Sequence, residues 1–355
     1  MKIVYVDTSI TGHHIPYMSS LISANTEADF VLITPEKISN LVCKQYVCNK
    51  FKSKDPFAYI MWMREVCKIV KKENPNIVHF LYGDVFYRYF GVCLSMLKRY
   101  KTIVTLHWAR TKKIEVFSTK RLCKKVSQVV VHSEYIKQLF EKEYNIHNVC
   151  HIEYPQFNSI KCDKKQACDF WGISDKITTI ACIGNTRYDK GLDLLLEALK
   201  PVKKPYQLLV AGKAEAFDEK YIRDNVVGSE KVKTHLEYLS DDELAYAIGA
   251  ADIIALPYRR SFNGASGPLG EGVALNKCII GPKHGVLGYT IERYHLGYVF
   301  DTENLESLSE VLERAVEQDF VCDDQYIKYQ KMLDKNDFNS KYSALYLNCL
   351  IETKY

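Results

Sequence analysis

Short apolar runs alternate with amphipathic stretches from one end of the chain to the other. The runs 2–8, 29–34, 76–82, 102–107 and 128–132, then 178–184, 206–211, 232–236, 252–257 and 278–281, are mostly dense in apolar residues rather than strictly alternating. Strands covered on both faces of a parallel sheet read this way. Between them apolar residues recur at helical spacing. In 55–73, Ile60, Met63, Cys67 and Val70 share a face, Lys68, Lys71 and Lys72 take the other, and Asn74-Pro75 ends the helix. Regular alternation of strand and helix predicts an α/β protein with parallel sheets wound on both faces. The strands fall into two blocks separated by 156–176, a polar stretch without a clear strand that reads as a linker. A last helix over 337–355 carries Phe338, Tyr342, Leu345 and Cys349 on one face, which can pack on either block.

Composition narrows the class. A chain of 355 residues with a net charge of +5 suits two soluble domains. No run approaches the roughly 18 apolar residues of a membrane span, and Lys2-Ile3-Val4-Tyr5-Val6 reads as a strand rather than a signal peptide. The 12 cysteines are scattered without a C-x-x-C pair, which points to reduced thiols of a cytoplasmic protein and to no metal site. The charge is uneven: residues 1–150 hold 23 Lys and Arg against 12 Asp and Glu, and the remainder 25 against 31. Lys98, Arg99, Lys101, Arg110, Lys112, Lys113, Lys120, Arg121, Lys124 and Lys125 face Glu115 alone. Such a patch suits an anionic membrane surface, a phosphate-bearing acceptor or nucleic acid, and equally a solvated face. No nucleic-acid-binding motif accompanies it, and nucleic acid is not an expected partner.

Ligands of doubly wound sheets bind beyond the carboxyl ends of the strands, so two such sheets predict a site in a cleft where those ends face each other. After 178–184 comes Gly184-Asn185-Thr186-Arg187-Tyr188-Asp189-Lys190-Gly191, just before a helix over 191–200. A guanidinium fork, an ammonium and free helix N–H groups together suit a diphosphate, although Arg-x-x-Lys-Gly alone also suits a solvent-exposed turn. After 252–257 comes Ser266-Gly267-Pro268-Leu269-Gly270-Glu271. Pro268 fits a first helical position, Ser266 a cap or phosphate donor, and Gly264 and Gly267 permit close backbone approach. Glu271 is expected in the first turn, either complementing the helix dipole or accepting ribose hydroxyls. In the first block, Gly12 can bring backbone amides to a phosphate. His107 in Thr105-Leu106-His107-Trp108 can serve a sugar hydroxyl or sit as a core imidazole. The chain has no G-x-G-x-x-G, no G-x-x-x-x-G-K-[ST] and no G-x-S-x-G, which excludes a dinucleotide fingerprint, a P-loop and a hydrolase elbow.

Taken jointly, these motifs resemble the retaining glycosyltransferases of family four (glycosyl transferases group 1) over nearly the whole chain. The resemblance is carried by 182–199, by Tyr238-Leu239-Ser240-Asp241-Asp242-Glu243-Leu244 with Ala250-Ala251-Asp252, by Ser266-Gly267 through Glu271 with Lys277-Cys278-Ile279-Ile280, and by Val129-Val130-Val131-His132-Ser133. It implies the GT-B fold: two Rossmann-like domains facing across a deep cleft, 1–157 for the acceptor and 158–336 for the nucleotide-sugar donor, with 337–355 crossing back to the first. It also implies roles. Arg187 and Lys190 bind the donor diphosphate, Glu271 the ribose, the backbone around Leu239 the base, and His107 lies beside the transferred sugar or acceptor. Gly12, Asn263, Ser266, Gly267 and Leu269 complete the donor-binding set. The expected reaction is metal-independent glycosyl transfer with retention, from a nucleoside diphosphate-sugar, UDP as nucleotide, to a glycan or lipid-linked acceptor in bacterial surface polysaccharide synthesis. The expected location is the cytoplasm, peripheral at the inner membrane face. The chain departs from the family where Asn263 stands in place of a frequent glutamate, where Trp108 stands in place of a frequent Asp, and at Gly272. At Asn263 an amide can still hydrogen-bond a sugar hydroxyl but brings no negative charge. The alternatives are a non-catalytic nucleotide-sugar-binding partner subunit and a nucleotide-sugar epimerase of the same fold.

Overall fold

In the computed structural model the apolar runs become the strands of two separate sheets, each wholly parallel. It describes residues 1–11, 14–157, 162–226, 231–262 and 264–351. One unit comprises Met1–Phe157 with Lys335–Tyr355, the other Asn158–Asp334. The first sheet holds β1 (Lys2–Val6), β2 (Asp29–Thr34), β3 (Lys44–Val47), β4 (Ile77–Phe80), β5 (Lys101–Leu106), β6 (Gln128–Val131) and β7 (Val149–His151), in the order β3-β2-β1-β4-β5-β6-β7. The second holds β8 (Thr178–Ile183), β9 (Tyr206–Ala211), β10 (Val232–His235), β11 (Ile253–Ala255), β12 (Cys278–Pro282) and β13 (Gly297–Phe300), in the order β10-β9-β8-β11-β12-β13. In each sheet the winding reverses once, between β1 and β4 and between β8 and β11. Such reversal points part the flanking loops and open a crevice at the carboxyl ends of the strands.

β3, β7 and β13 are absent from the sequence-based strand assignment, and all three lie at sheet edges. An edge strand has a neighbour on one side only, and the sequences KQYV, VCH and GYVF lack the long apolar run of a central strand. The helix Pro56–Glu73 starts and stops where its sequence says. Asp55 accepts the N–H groups of Phe57 and Ala58, and Asn74 closes the far end at φ +45°. The stretch read as linker differs: Lys164–Trp171 is helical, is capped by Asp163, and buries Ala167, Cys168 and Trp171 in the second unit. Apolar positions only four residues apart give too little periodicity to stand out from a polar loop.

The last helix, Lys335–Ile351, contributes Phe338, Tyr342, Tyr346 and Cys349 to the core of the first unit. Its two tyrosines enter a buried hydrogen-bonded chain. Tyr5 Oη donates to Tyr346 Oη (3.1 Å), which meets His79 Nδ1 (2.9 Å). His79 Nε2 meets Thr105 Oγ1 (2.9 Å), which meets Tyr342 Oη (3.4 Å). Tyr342 pairs in turn with Tyr17, whose hydroxyl lies 3.2 Å from His132 Nε2. Buried polar groups persist in a core when they satisfy one another in this way.

Candidate functional site

In the second unit the reversal point is built by the loops after β8 and β11. β8 runs into Gly184 at φ +108°, where a Cβ would overlap the Lys190 ammonium. Gly191, at φ +67°, lies against the Pro257 carbonyl and has no room for a side chain either, which accounts for the glycine after the lysine. Thr186 fastens this loop to the one after β9. Its hydroxyl donates to the Phe217 carbonyl (2.7 Å) and accepts the N–H groups of Glu215 (2.9 Å) and Phe217 (3.3 Å).

The two predicted cations are held differently. Lys190 is half-buried, with its ammonium 5.5 Å from the centre of the Tyr258 ring. No carboxylate of the described residues lies within ion-pair distance of it. Burial pushes its pKa down, since a charge out of water is disfavoured. Arg187 is half-exposed and forms a two-pronged pair with Asp189, Nε to Oδ1 at 2.9 Å and a terminal nitrogen to Oδ2 at 2.6 Å. This hydrogen-bonded pair raises the arginine pKa and lowers that of Asp189.

Two side chains outside the sequence-based set organise this place. The guanidinium of Arg259 lies 3.9 Å from the Tyr188 ring centre. It donates to the Tyr188 carbonyl (2.6 Å) and to both oxygens of Asp193 (3.0 and 2.6 Å). It thereby clips the loop after β11 onto the Arg187–Lys190 segment. Tyr258 is fully buried; its ring lies against Lys190 and its hydroxyl meets Ser266 Oγ at 3.3 Å. Lys190 and Ser266 thus share one aromatic ring. Nothing local in Leu256-Pro257-Tyr258-Arg259 marks the contacts with Tyr188, Lys190 and Asp193, because those partners lie about 70 residues away in sequence.

Ser266 caps the helix Gly267–Ala274 through its backbone; its side chain makes no capping bond, and a Cβ at Gly267 would meet open space. A helix start with uncovered N–H groups is a fitting place for an anion. One expectation needs correction. Glu271 is not in the first turn, which has no acidic residue, because the helix already begins at Gly267; Glu271 lies one turn further on and is half-buried. Leu269 packs its side chain into the core, so only its backbone can meet a ligand. Leu239 is half-buried against the same core, just ahead of the capping box of Ser240 and Glu243. Gly12 and Asn263 lie outside the described residues.

In the first unit, His107 follows β5. Gly83 has no room for a Cβ beside Val104, and that close approach brings Asp84 to His107. Asp84 Oδ2 accepts the His107 backbone N–H (2.8 Å) and lies 3.1 Å from His107 Nδ1; Oδ1 accepts the Trp108 N–H (3.2 Å). Across the reversal point, Asp7 Oδ2 meets His14 Nδ1 at 2.8 Å. Both imidazoles pack on Tyr82, with ring centres at 5.0 and 5.4 Å.

The basic patch is smaller than its sequence. Lys125 donates to the carbonyls of Phe90 and Gly91, and Arg110 stacks on Tyr87 beside Asp84. Lys98, Arg99, Lys112, Lys113, Arg121 and Lys124 are exposed, and so are Val92, Met96, Ile114 and Phe117. Among the described residues, no helix is long and apolar enough to cross a membrane, and no group of three or more His, Cys, Asp or Glu side chains is placed to hold a metal ion.

Residues 163–337 match the family model Glycosyl transferases group 1, and residues 2–133 match Glycosyl transferase 4-like. No curated protein matches the sequence. Among solved structures, a glycosyltransferase from Rickettsia africae superposes with a TM-score of 0.75 at 17% identity, covering 98% of each chain. Sucrose-phosphate synthase from Thermosynechococcus elongatus gives 0.77 at 13% over 99% of each chain. HepE from Anabaena, in complex with UDP and glucose, gives 0.72 at 12% over 97% of this chain and 99% of its own. At these identities the structures speak for the fold, and the family models for the activity. Two family matches that together span most of the chain, on two Rossmann-like sheets, make this protein a GT-B glycosyltransferase.

Proposed function

We propose that this enzyme takes a glycosyl group from a nucleoside diphosphate-sugar, with UDP as the nucleotide, and transfers it with retention to a glycan or lipid-linked acceptor. One observation carries the donor reading: a half-buried Lys190 ammonium, unpaired among the described residues, lies against Tyr258, whose hydroxyl meets Ser266 at a helix start that has open space above Gly267. A cation so placed lacks an anion, and a diphosphate supplies one. HepE, of the same fold, was solved with UDP and glucose. In the reaction, negative charge grows on the departing phosphate while the sugar takes on oxocarbenium character. Lys190, Arg187 and the helix N–H groups stabilise that charge more than the intact donor, which lowers the barrier. Protein cations then do what a divalent ion does elsewhere, and chelators are expected to leave the rate unchanged. Arg187 reaches the diphosphate by exchanging Asp189 for it. Glu271 accepts the ribose hydroxyls, and the backbone near Leu239 meets the base. The acceptor proton leaves with the departing phosphate.

The test is a melting-temperature panel of UDP, GDP and ADP, since a ligand that binds only the folded state raises the midpoint. UDP is expected to give the largest shift, and Arg187→Ala is expected to cut turnover by on the order of 10²-fold. Unchanged turnover would remove Arg187 from the reaction, and no shift with any of the three would remove the donor.

The acceptor side belongs to the first unit. Its exposed Ile114 and Phe117, between Lys112, Lys113 and Arg121, suit the surface of an anionic membrane, as a lipid-linked acceptor in surface polysaccharide synthesis requires. Free cysteines throughout suit the reducing cytoplasmic side. Sedimentation with anionic vesicles should fall steeply as salt rises, and Ile114→Ser with Phe117→Ser should weaken it at every salt concentration. Absence of binding at low salt would favour a soluble glycan.

A further inference from the structure

Two arginine–aspartate pairs meet at the loop after β8, alike in chemistry and unlike in setting. Arg259 donates to the two oxygens of Asp193 at 3.0 and 2.6 Å, and Arg187 to those of Asp189 at 2.9 and 2.6 Å. The side chains of the first pair are 10% and 21% exposed, those of the second 45% and 28%. Arg259 has two further holds on its guanidinium, the Tyr188 carbonyl and the Tyr188 ring. Among the described residues, the Arg187 guanidinium has hydrogen bonds to Asp189 alone. The first pair belongs to the framework. The second is open to exchange, because water and salt compete for both ends of a half-exposed ion pair and leave it weak. The backbone decides which partner of that pair can leave. Asp189 lies in the short helical turn Tyr188–Lys190, and its carbonyl accepts the Arg259 N–H at 2.9 Å. Its short side chain is fixed in place by that anchoring, whereas the long arm of Arg187 can swing to a new anion. A carboxylate and a phosphate offer a guanidinium the same pair of oxygens, so Asp189 and a diphosphate are rivals for one fork.

We infer that Asp189 is an intramolecular competitor of the donor diphosphate: its carboxylate holds the Arg187 fork until a diphosphate displaces it, and recaptures the fork as the nucleoside diphosphate departs. This rests on the proposed function and adds a regulation of that same site. A ligand that must first break a pair binds with its affinity reduced by the fraction of molecules in which the pair is already open. The donor and the product diphosphate both carry that reduction. For the product it is an advantage, since the returning carboxylate takes over the charge of Arg187 as the diphosphate is released. Lys190 has no such rival, because no carboxylate of the described residues lies within ion-pair distance of it. The two cations thus divide the work: Lys190 attracts the diphosphate, and Arg187 closes on it and lets go.

The experiment is titration calorimetry of the full chain with UDP, and with inorganic pyrophosphate as a second arm. Asp189→Asn and Asp189→Ser are each expected to bind both ligands about three- to fivefold more tightly than the wild type, the scale set by the exchange of a half-exposed ion pair. The same substitutions made together with Arg187→Ala should gain nothing, because the competitor then has no fork to hold. Glu215→Gln is the control for a general loss of negative charge: Glu215 is another carboxylate near Arg187, but it is bonded to Asn185 at 2.6 Å. It should give a clearly smaller gain. Equal or weaker binding by both Asp189 variants would make Asp189 a residue that positions Arg187 and would overturn the inference. A gain that persists without Arg187, or an equal gain from Glu215→Gln, would overturn it too. A chain that binds pyrophosphate, and binds it more tightly after Asp189→Asn, but never binds UDP would strike the nucleotide reading and leave the competition standing. Binding of neither ligand would strike both.

Discussion

Lys190 shows how a single side chain can be unfavourable for folding and useful for chemistry. Holding an ammonium half-buried, with no carboxylate of the described residues within ion-pair distance, costs solvation, and burial lowers its pKa accordingly. A bound diphosphate restores what water supplied. Lys190→Met is therefore expected to melt no lower than the wild type while losing on the order of 10²-fold in turnover; calorimetry and steady-state kinetics on one preparation check both. A variant that is less stable yet equally active would mean that the ammonium is structural. Lys190 and its following glycine were readable in the sequence because residue type and local spacing carry the signal. Arg259 and Tyr258 were not, since each acts on a distant loop: Arg259 on Tyr188 and Asp193, and Tyr258 on Lys190. Glu271 was readable as a carboxylate on that helix but was placed a turn too early, because a proline two residues after the cap looks the same as one at the first position.

Among elements, the edge strand β3 shows how a polar segment earns its place in a sheet. Its Lys44 pairs with Glu73 Oε1 at 2.7 Å and its Tyr46 donates to the same oxygen at 2.5 Å, while Lys2 of β1 meets Oε2 at 2.9 Å. Glu73 thereby ties the end of the helix Pro56–Glu73 to two strands. Hydrogen bonds from Lys44, then Tyr46 and Lys2, hold its carboxyl at about 2, against an ordinary value near 4.5. The unfolded chain binds that proton more readily, so the stability Glu73 contributes is complete above about pH 4.5 and is lost as the pH falls towards 2. Denaturant titrations across that window should show a shallower acid limb for Glu73→Gln than for the wild type, and parallel curves would dismiss the tie. Central strands were legible from their apolar runs. β3 was not, because ionic and hydrogen-bonded contacts to other elements hold it where burial does not.

For the molecule as a whole, the last helix decides the make-up of the first unit. Residues 335–351 come after the entire second unit in sequence, yet their Phe338, Tyr342 and Tyr346 lie in the core with β1, β4 and β5. Tyr346→Phe would leave Tyr5 Oη and His79 Nδ1 without their shared partner and should cost about 2 kcal/mol, the scale of orphaning buried polar groups. Equilibrium unfolding measures this, and a loss below about 0.5 kcal/mol would show that water or another group repairs the gap. The sequence by itself determined the alternation of strand and helix, the two blocks and the cation-bearing loop before the second block's first helix, because periodicity and local spacing are properties of neighbouring residues. Only the tertiary structure decided which core receives the last helix and which cations of the basic patch are already spent on carbonyls and a tyrosine. Those outcomes turn on which side chain reaches a partner first in three dimensions, and one-dimensional order does not encode that competition locally.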